Sequence, residues 1–318
     1  MRILITGGAG FIGSHLTDRL VFDGHQVTVL DNLSTGRRGN LAAQIQNNSV
    51  KFVEGSILDS KLLHDLATDT DYIFHLAAAV GVFNIVRNPL VSLFTNIRGT
   101  ENVLEVAAKF GTPVFVASSS EVYGKNISDS LKESDDRILG SPTTLRWSYS
   151  EAKAIDESLA YAYWVERGLT TRIVRFFNTV GPRQLGSYGM VIPRFVSSAI
   201  RGEPLEVYGT GLQTRCFIHV LDVIDAIIAV AFSDKTVGQV INIGNSSEIS
   251  IIDLANKVIS DTDSKSKIEF VEYQEAYGDG FEDMQRRVPN IELIHSLVGW
   301  APSRSLTTMI HDVALQIR

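Results

Sequence analysis

The chain has 318 residues, with 36 acidic side chains against 29 basic ones, a net charge of -7, 44% hydrophobic residues and 20% charged residues. This is the balance of a soluble globular protein with room for two domains, and its acidic excess argues against a nucleic-acid or membrane-surface partner, either of which asks for a basic face. The single cysteine, Cys216, excludes an intrachain disulfide and fits a reducing, cytoplasmic setting; glycines cut the apolar start too early for a signal peptide, and no window holds the ~20 apolar residues of a membrane span.

In chain order, short β-branched runs alternate with helical patterns. RILIT (from Arg2), QVTVLD (from Gln26), VKFVEG (from Val50), YIFHLA (from Tyr72), PVFVAS (from Pro113), TRIVRF (from Thr171) and VINIG (from Val240) read as strands. Most are apolar on both faces, which suits a buried parallel sheet. SHLTDRLVFD, TENVLEVAAKF and SEAKAIDESLAYAYWVER read as the intervening helices. The expected fold class is α/β, a Rossmann-type doubly wound parallel sheet with a smaller, interleaved α+β substrate-binding domain. The rhythm breaks after RFFNTVGPR, where Gly and Pro become frequent and loops such as GSYG and VYGTG suit ligand contact. Residues 1–180 are therefore assigned to dinucleotide binding, with a return segment near 217–247 that includes VINIG. Residues 181–216 and 248–318 are assigned to the second unit, with IIDLANKVIS and PNIELIHSLVGW as its late helices.

The stretch ILITGGAGFIGSHL places Gly7, Gly10 and Gly13 between the first strand and the first helix. Gly7 permits the tight turn, Gly10 lets the backbone approach a pyrophosphate, and Gly13 lets the helix pack against the sheet. The helix N-terminus then offers free N–H groups and partial positive charge to the phosphates. Asp31, at the end of the second strand, would accept from a ribose diol and repel a 2′-phosphate, which favours NAD over NADP. Arg37 and Arg38 lie nearby and pull the other way unless they belong to a solvated loop.

In WSYSEAK, Tyr149 and Lys153 are four apart at the start of a helical pattern and share one face. A neighbouring ammonium and a positively charged nicotinamide would both favour phenolate, which lowers the phenol toward working pH. Tyr149 could then take a proton from a sugar hydroxyl as hydride leaves carbon. His75, in an apolar strand, reads as a core residue rather than a base. The other histidines show no metal-ligand spacing, and Asp222 and Asp225 in LDVIDAI read as structural or capping residues.

With TGGAGFIGSHL, DNLSTG, HLAA, SSSEVYG, YSEAK, RFFNTVGPR and QTRCFIHVLDV all present, the chain resembles the extended short-chain dehydrogenase/reductase family, the NAD-dependent nucleotide-sugar epimerases, dehydratases and decarboxylases. The resemblance implies NAD contacts at Phe11 and Ile12 in the glycine turn, at Asn32 beside Asp31, at Leu76, Ala77 and Ala78 after the fourth strand, and at Asn96. It implies Ser119 as the hydroxyl completing the set with Tyr149 and Lys153, and substrate contacts at Asn178 and Arg215. It also implies a homodimer built from two helices per subunit, matched by the segments from Thr100 and Ser150.

Within that family the residues after the catalytic hydroxyl separate the chemistries. Simple 4-epimerases carry small or neutral residues where this chain has Ser120 and Glu121. The 4,6-dehydratases carry Asp-Glu or Ser-Glu, and decarboxylases of UDP-glucuronate carry Ser-Glu with a later arginine in a segment like QRRKPD. The chain has FEDMQRRVPNI, in which Glu282 and Asp283 precede Arg286, and Arg287 is the matching position. RNPL at Arg87 and RW at Arg146–Trp147 resemble the branch that makes a 4-keto pentose, whereas GSPTTLRWSY departs from the xylose-forming branch. Oxidation at carbon 4 of a glucuronate makes a β-keto acid, which loses carbon dioxide readily. Ser120 and Glu121 could orient or push on the carboxylate, while Arg287 anchors it and supplies or relays a proton. The first expectation is a UDP-glucuronate decarboxylase, yielding UDP-xylose or its 4-keto precursor. A 4-epimerase of a UDP-hexose or UDP-uronate is the alternative and a 4,6-dehydratase the third. A non-catalytic dinucleotide-binding sensor is opposed by the intact Tyr149–Lys153 pair.

Overall fold

The computed structural model describes residues 1–81, 88–186, 190–272, 284 and 286–317. Glu282, Asp283, Arg87 and most of the GSYG loop lie outside them.

The strands in chain order are β1 (Arg2–Thr6), β2 (Gln26–Asp31), β3 (Val50–Glu54), β4 (Tyr72–His75), β5 (Val114–Ser119), β6 (Thr171–Phe176), β7 (Thr179–Val180), β8 (Leu205–Tyr208), β9 (Thr214–Cys216), β10 (Ile218–His219), β11 (Val240–Ile243), β12 (Glu248–Ser250) and β13 (Ile268–Val271). The helices are α1 (Phe11–Phe22), α2 (Ala42–Gln46), α3 (Ser60–Ala67), α4 (Pro89–Phe110), α5 (Ser148–Arg167), α6 (Val191–Arg201), α7 (Val220–Ala231), α8 (Ile251–Asp261), α9 (Glu292–Val298) and α10 (Leu306–Ile317).

Among the described residues, seven strands form one sheet in the order β11-β6-β5-β4-β1-β2-β3, and every pairing in it is parallel. The order reverses between β1 and β4, and such a switch point opens a crevice at the carboxyl ends of the strands. Strand periodicity explains why the sheet holds two cores. Ile3 and Ile5 of β1 face one layer with Leu16 and Leu20 of α1 and Ile224 and Ile227 of α7. Leu4 faces the other, with Leu63 of α3, Leu104 of α4 and Ala160 of α5. α4 begins about three turns before the expected Thr100, because Pro89 occupies its first turn, where a fixed φ and a missing N–H cost nothing; Gly111, at φ 68°, ends it.

A separate core joins Phe195 and Val196 of α6, Leu254 and Val258 of α8, Ile310 and Val313 of α10, and Leu205 and Val207 of β8. VINIG does join the large sheet, beside β6. The C-terminal boundary differs from the expected division. α9 and its flanks, through Ile294 and Trp300, pack into the first core and not the second, because its apolar face covers the edge strand β11; only α10 rejoins the second core. Among the described residues no helix is long and apolar enough to cross a membrane.

Candidate active site

The glycine turn is built as the spacing requires. Gly7 sits at φ 76°, and a Cβ there would lie 2.7 Å from the Ala77 amide nitrogen. A Cβ on Gly13 would lie 2.2 Å from the Gly7 carbonyl oxygen, so only glycine lets α1 approach the turn. Gly10 precedes α1 without a capping side chain, and the first turn carries no acid, so its N–H groups are left for an anion. Asp31 accepts from the amides of Ala9 at 2.9 Å and Leu33 at 2.8 Å, and burial pushes its carboxyl up. Neither Arg37 nor Arg38 lines the cavity here; the Arg38 guanidinium lies over the Phe52 ring at 5.1 Å.

One cavity of about 510 Å³ runs from Asp31 and Asn32 past Gly7, Gly10, Phe11, Ile12 and Gly13. It continues along Leu76, Ala77 and Ala78 to Ser119, Ser120, Glu121, Tyr149 and Lys153, and reaches Asn178, Arg215 and Arg287. Asn96 is placed differently. It is 1% exposed and its amide holds both the N–H and the carbonyl of Ala79, so it braces the segment after β4 from behind while Thr95 faces the cavity.

The reactive end grows from a short turn. The Ser119 hydroxyl accepts from the Glu121 amide at 3.2 Å, capping a 3-10 turn over Ser120–Tyr123. Gly124, at φ 59°, closes it against the Ile138 carbonyl. Tyr149 lies in the first turn of α5 and Lys153 one turn on. The Lys153 ammonium donates to the Ala117 carbonyl and to Asp156, both at 3.0 Å. Burial works against its charge, but Asp156, Tyr149 and Glu157 outweigh burial and raise it. Burial, helped by Glu121 and Asp156, raises Tyr149 despite Lys153 and Ser119. Lys153 is the largest influence pulling the phenol back down.

Glu121 is an acid held inside. Arg287 meets one oxygen at 2.8 Å and Arg146 the other at 2.7 Å. Burial would push the carboxyl up, yet the two guanidinium groups hold it down at about 2. Arg287 also reaches the Ser120 hydroxyl at 3.3 Å; burial, with Arg215 and Arg146 nearby, lowers it. Among the described residues, the cluster sets the guanidinium groups of Arg146 and Arg287 against the Glu121 carboxylate. Near neutral pH Glu121 is therefore a carboxylate facing two guanidinium groups.

Arg146 was legible only as half of the RW pair, three residues before Tyr149, and its meeting with Glu121 was not. Tyr208, the last residue of β8, and Arg194 also line the cavity, the guanidinium 4.0 Å from the Tyr208 ring centroid. Arg194, on an amphipathic helix, had no sequence signal. His75 is a core residue between the hydroxyls of Thr6 at 2.8 Å and Thr100 at 3.0 Å. Asp222 accepts from the amides of Ser303 and Arg304, and Asp225 pairs with Arg19 at 2.8 Å.

A glycine cradle that side chains would fill, an uncapped helix start and an acid at the ribose end fit NAD, and with a Tyr–Lys pair in the same cavity they define a dinucleotide-dependent enzyme. Residues 3–244 match the NAD dependent epimerase/dehydratase family, and the chain belongs to it. It is 42% identical over 305 residues, 96% of this chain and 94% of the relative, to the UDP-N-acetyl-alpha-D-glucosaminuronate decarboxylase of Bacillus cytotoxicus. It is 38% identical over 303 residues to UDP-glucuronic acid decarboxylase 1 of Xenopus tropicalis, covering 95% of this chain and 68% of that one. Among solved structures, the UDP-glucuronic acid 4-epimerase of Bacillus cereus with UDP-glucuronic acid and NAD superposes with a TM-score of 0.89 at 27% identity, covering 100% and 99% of the two chains.

Proposed function

We propose that the protein is an NAD-dependent decarboxylase of a UDP-linked uronate. The observation that carries this reading is Glu121 pinned between Arg146 and Arg287 at the sugar end of the cavity. Bound NAD supplies a hydride acceptor, and later a donor, at carbon 4. The residues to hold it are Gly7 to Gly13 at the pyrophosphate, Asp31 at the ribose, and Leu76 to Ala78 beside the ring. Tyr149 takes the proton from the carbon 4 hydroxyl, with Ser119 and Lys153 beside it. Arg287 and Ser120 orient the substrate carboxylate. The carbon 5–carbon 6 bond then breaks, carbon dioxide leaves, and the electron pair passes into the carbon 4 ketone as an enolate. Proton return to carbon 5 completes the carbon loss, and reduction of the ketone gives the UDP-pentose. Asn178 and Arg215, the latter a charged fork, serve the diphosphate.

Both UDP-glucuronate and its 2-acetamido counterpart fit this chemistry, and the relative named for the acetylated uronate favours trying both. The purified protein with NAD should release carbon dioxide from one of the two, and Tyr149→Phe should slow this about 10²–10⁴-fold while retaining NAD. Inversion at carbon 4 with carbon 6 kept throughout would establish the 4-epimerase instead.

The substrate-side partner is thus a UDP-sugar. A homodimer through α4 and α5 fits the apolar side chains these helices expose, Leu90, Val91 and Phe94 on one and Ile155, Tyr161 and Val165 on the other. Sedimentation at the mass of one chain would end that assembly. A cytoplasmic location fits the single buried thiol of Cys216.

A further inference from the structure

Arg287 reaches Glu121 from a segment far along the chain, and what holds that segment does not touch the cavity. Residues 286–290 lie alongside Leu131, whose amide donates to the Val288 carbonyl at 2.8 Å and whose carbonyl accepts from the Asn290 amide at 2.9 Å. Both strips are fastened to one side chain on the edge strand β11. Asn242, 0% exposed, donates its amide to the carbonyls of Leu131 at 3.0 Å and Asn290 at 3.3 Å. Its side-chain oxygen accepts from the Tyr123 hydroxyl at 2.8 Å. Tyr123 belongs to the turn that carries Glu121, so one amide ties both ends of the Glu121–Arg287 pair to the sheet. Two residues on, a Cβ at Gly244 would sit 2.7 Å from the Pro289 ring, so glycine lets the strap lie close.

A second anchor is on the surface. The Arg286 guanidinium spans both oxygens of Glu248 at 2.8 and 3.0 Å and reaches the Asp129 carbonyl at 2.6 Å. Glu248 also accepts from Thr214, next to Arg215 of the cavity. Consecutive arginines thus divide the work, Arg287 turned inward to the acid and Arg286 outward to the anchor.

We propose that Asn242 and the Arg286–Glu248 pair are positioning residues that set where the Arg287 guanidinium stands, and so decide whether the 4-keto uronate loses carbon dioxide or is reduced with carbon 6 retained. This rests on the decarboxylase reading. Returning hydride to the ketone needs only Tyr149, Lys153 and the cofactor, with a rotation of the keto sugar first where the other face is reduced, whereas carbon loss also needs the carboxylate held by a guanidinium in register with it. A loosened strap therefore shifts the product without emptying the dinucleotide site.

The test follows product partition by NMR, carbon dioxide release, the kcat and KM for the uronate, and retained NAD, in wild type, Asn242→Asp, Tyr123→Phe and Arg286→Gln. Asn242→Asp keeps the shape but sets a carboxylate oxygen against two carbonyls. It should lower kcat for carbon dioxide release tenfold or more, with the carbon 4 epimer of the uronate appearing as product and NAD retained. Tyr123→Phe and Arg286→Gln should shift the partition the same way, two- to fivefold. Should Asn242→Asp fail to fold, the other two variants decide. Wild-type partition and wild-type kcat in both would overturn the inference. A wild type that releases no carbon dioxide would bring down the decarboxylase reading and this inference with it, and that control separates the two failures.

Discussion

The two ends of the cavity are built on opposite plans. At the dinucleotide end, Gly7, Gly10 and Gly13 lie within one turn and the start of one helix, and what they present is backbone N–H. At the sugar end, Glu121, Arg146 and Arg287 come from the end of β5, the approach to α5 and a strap near the C-terminus, and what they present is buried charge. The first plan is local and needs space. The second is distant and needs partners, because a buried charge is tolerated only when another offsets it.

The largest expected difference comes from removing one partner at the sugar end. Arg287→Met removes the guanidinium proposed to hold the substrate carboxylate and leaves Glu121 to Arg146 alone, and should cut carbon dioxide release about 10²–10³-fold. NAD content should not change; loss of NAD together with activity would show that the two ends are not separable. Gly13→Ala is the mirror experiment. Its Cβ would meet the Gly7 carbonyl at 2.2 Å, and overpacking of that kind costs about 1–3 kcal/mol, to be read as a weaker NAD affinity of about ten- to a hundredfold. Titration of NAD at wild-type affinity in that variant would refute the close-packing account of the turn.

The smallest effect is in pH, where the two ends respond with different windows. Glu121 is held at about 2 against the usual 4.5, so the unfolded chain protonates it first. The stability this carboxylate contributes is complete above pH 4.5 and is lost only as pH falls toward 2. Carbon dioxide release should accordingly show no acid limb from Glu121 above about pH 4.5. His75 lies at the end of β4, its ring against Thr6 next to the glycine turn. Burial, with Lys153 adding to it, pushes this imidazole down to about 3 from 6.5. The unfolded chain takes up its proton near pH 6.5 and the folded chain only near 3. The contribution is therefore present above 6.5 and lost between the two. Thermal unfolding of His75→Gln should depend less steeply on pH between 6.5 and 4 than wild type. An unchanged slope would mean that His75 is not the group that titrates.

Much of the dinucleotide end was legible from residues because its parts are neighbours in the chain. Glycine spacing implies a positive φ and a close approach, strand periodicity implies a sheet with two buried faces, and Tyr149 with Lys153 implies one helix face. Those are consequences of short-range geometry, and the chain by itself determined them. The bonds of Asn96 to Ala79 came only from the structure, because motif position does not say which side of a segment a side chain braces. α9 was assigned to the wrong core because an apolar helix face does not name the face it covers. The raised phenol of Tyr149 and the meeting of Arg146, Glu121 and Arg287 depended on burial and on contacts between residues 25 to 166 positions apart. Only the tertiary structure decided these, since the strength of a charge in a protein is set by what desolvates it and what stands opposite, and neither is a property of the local sequence.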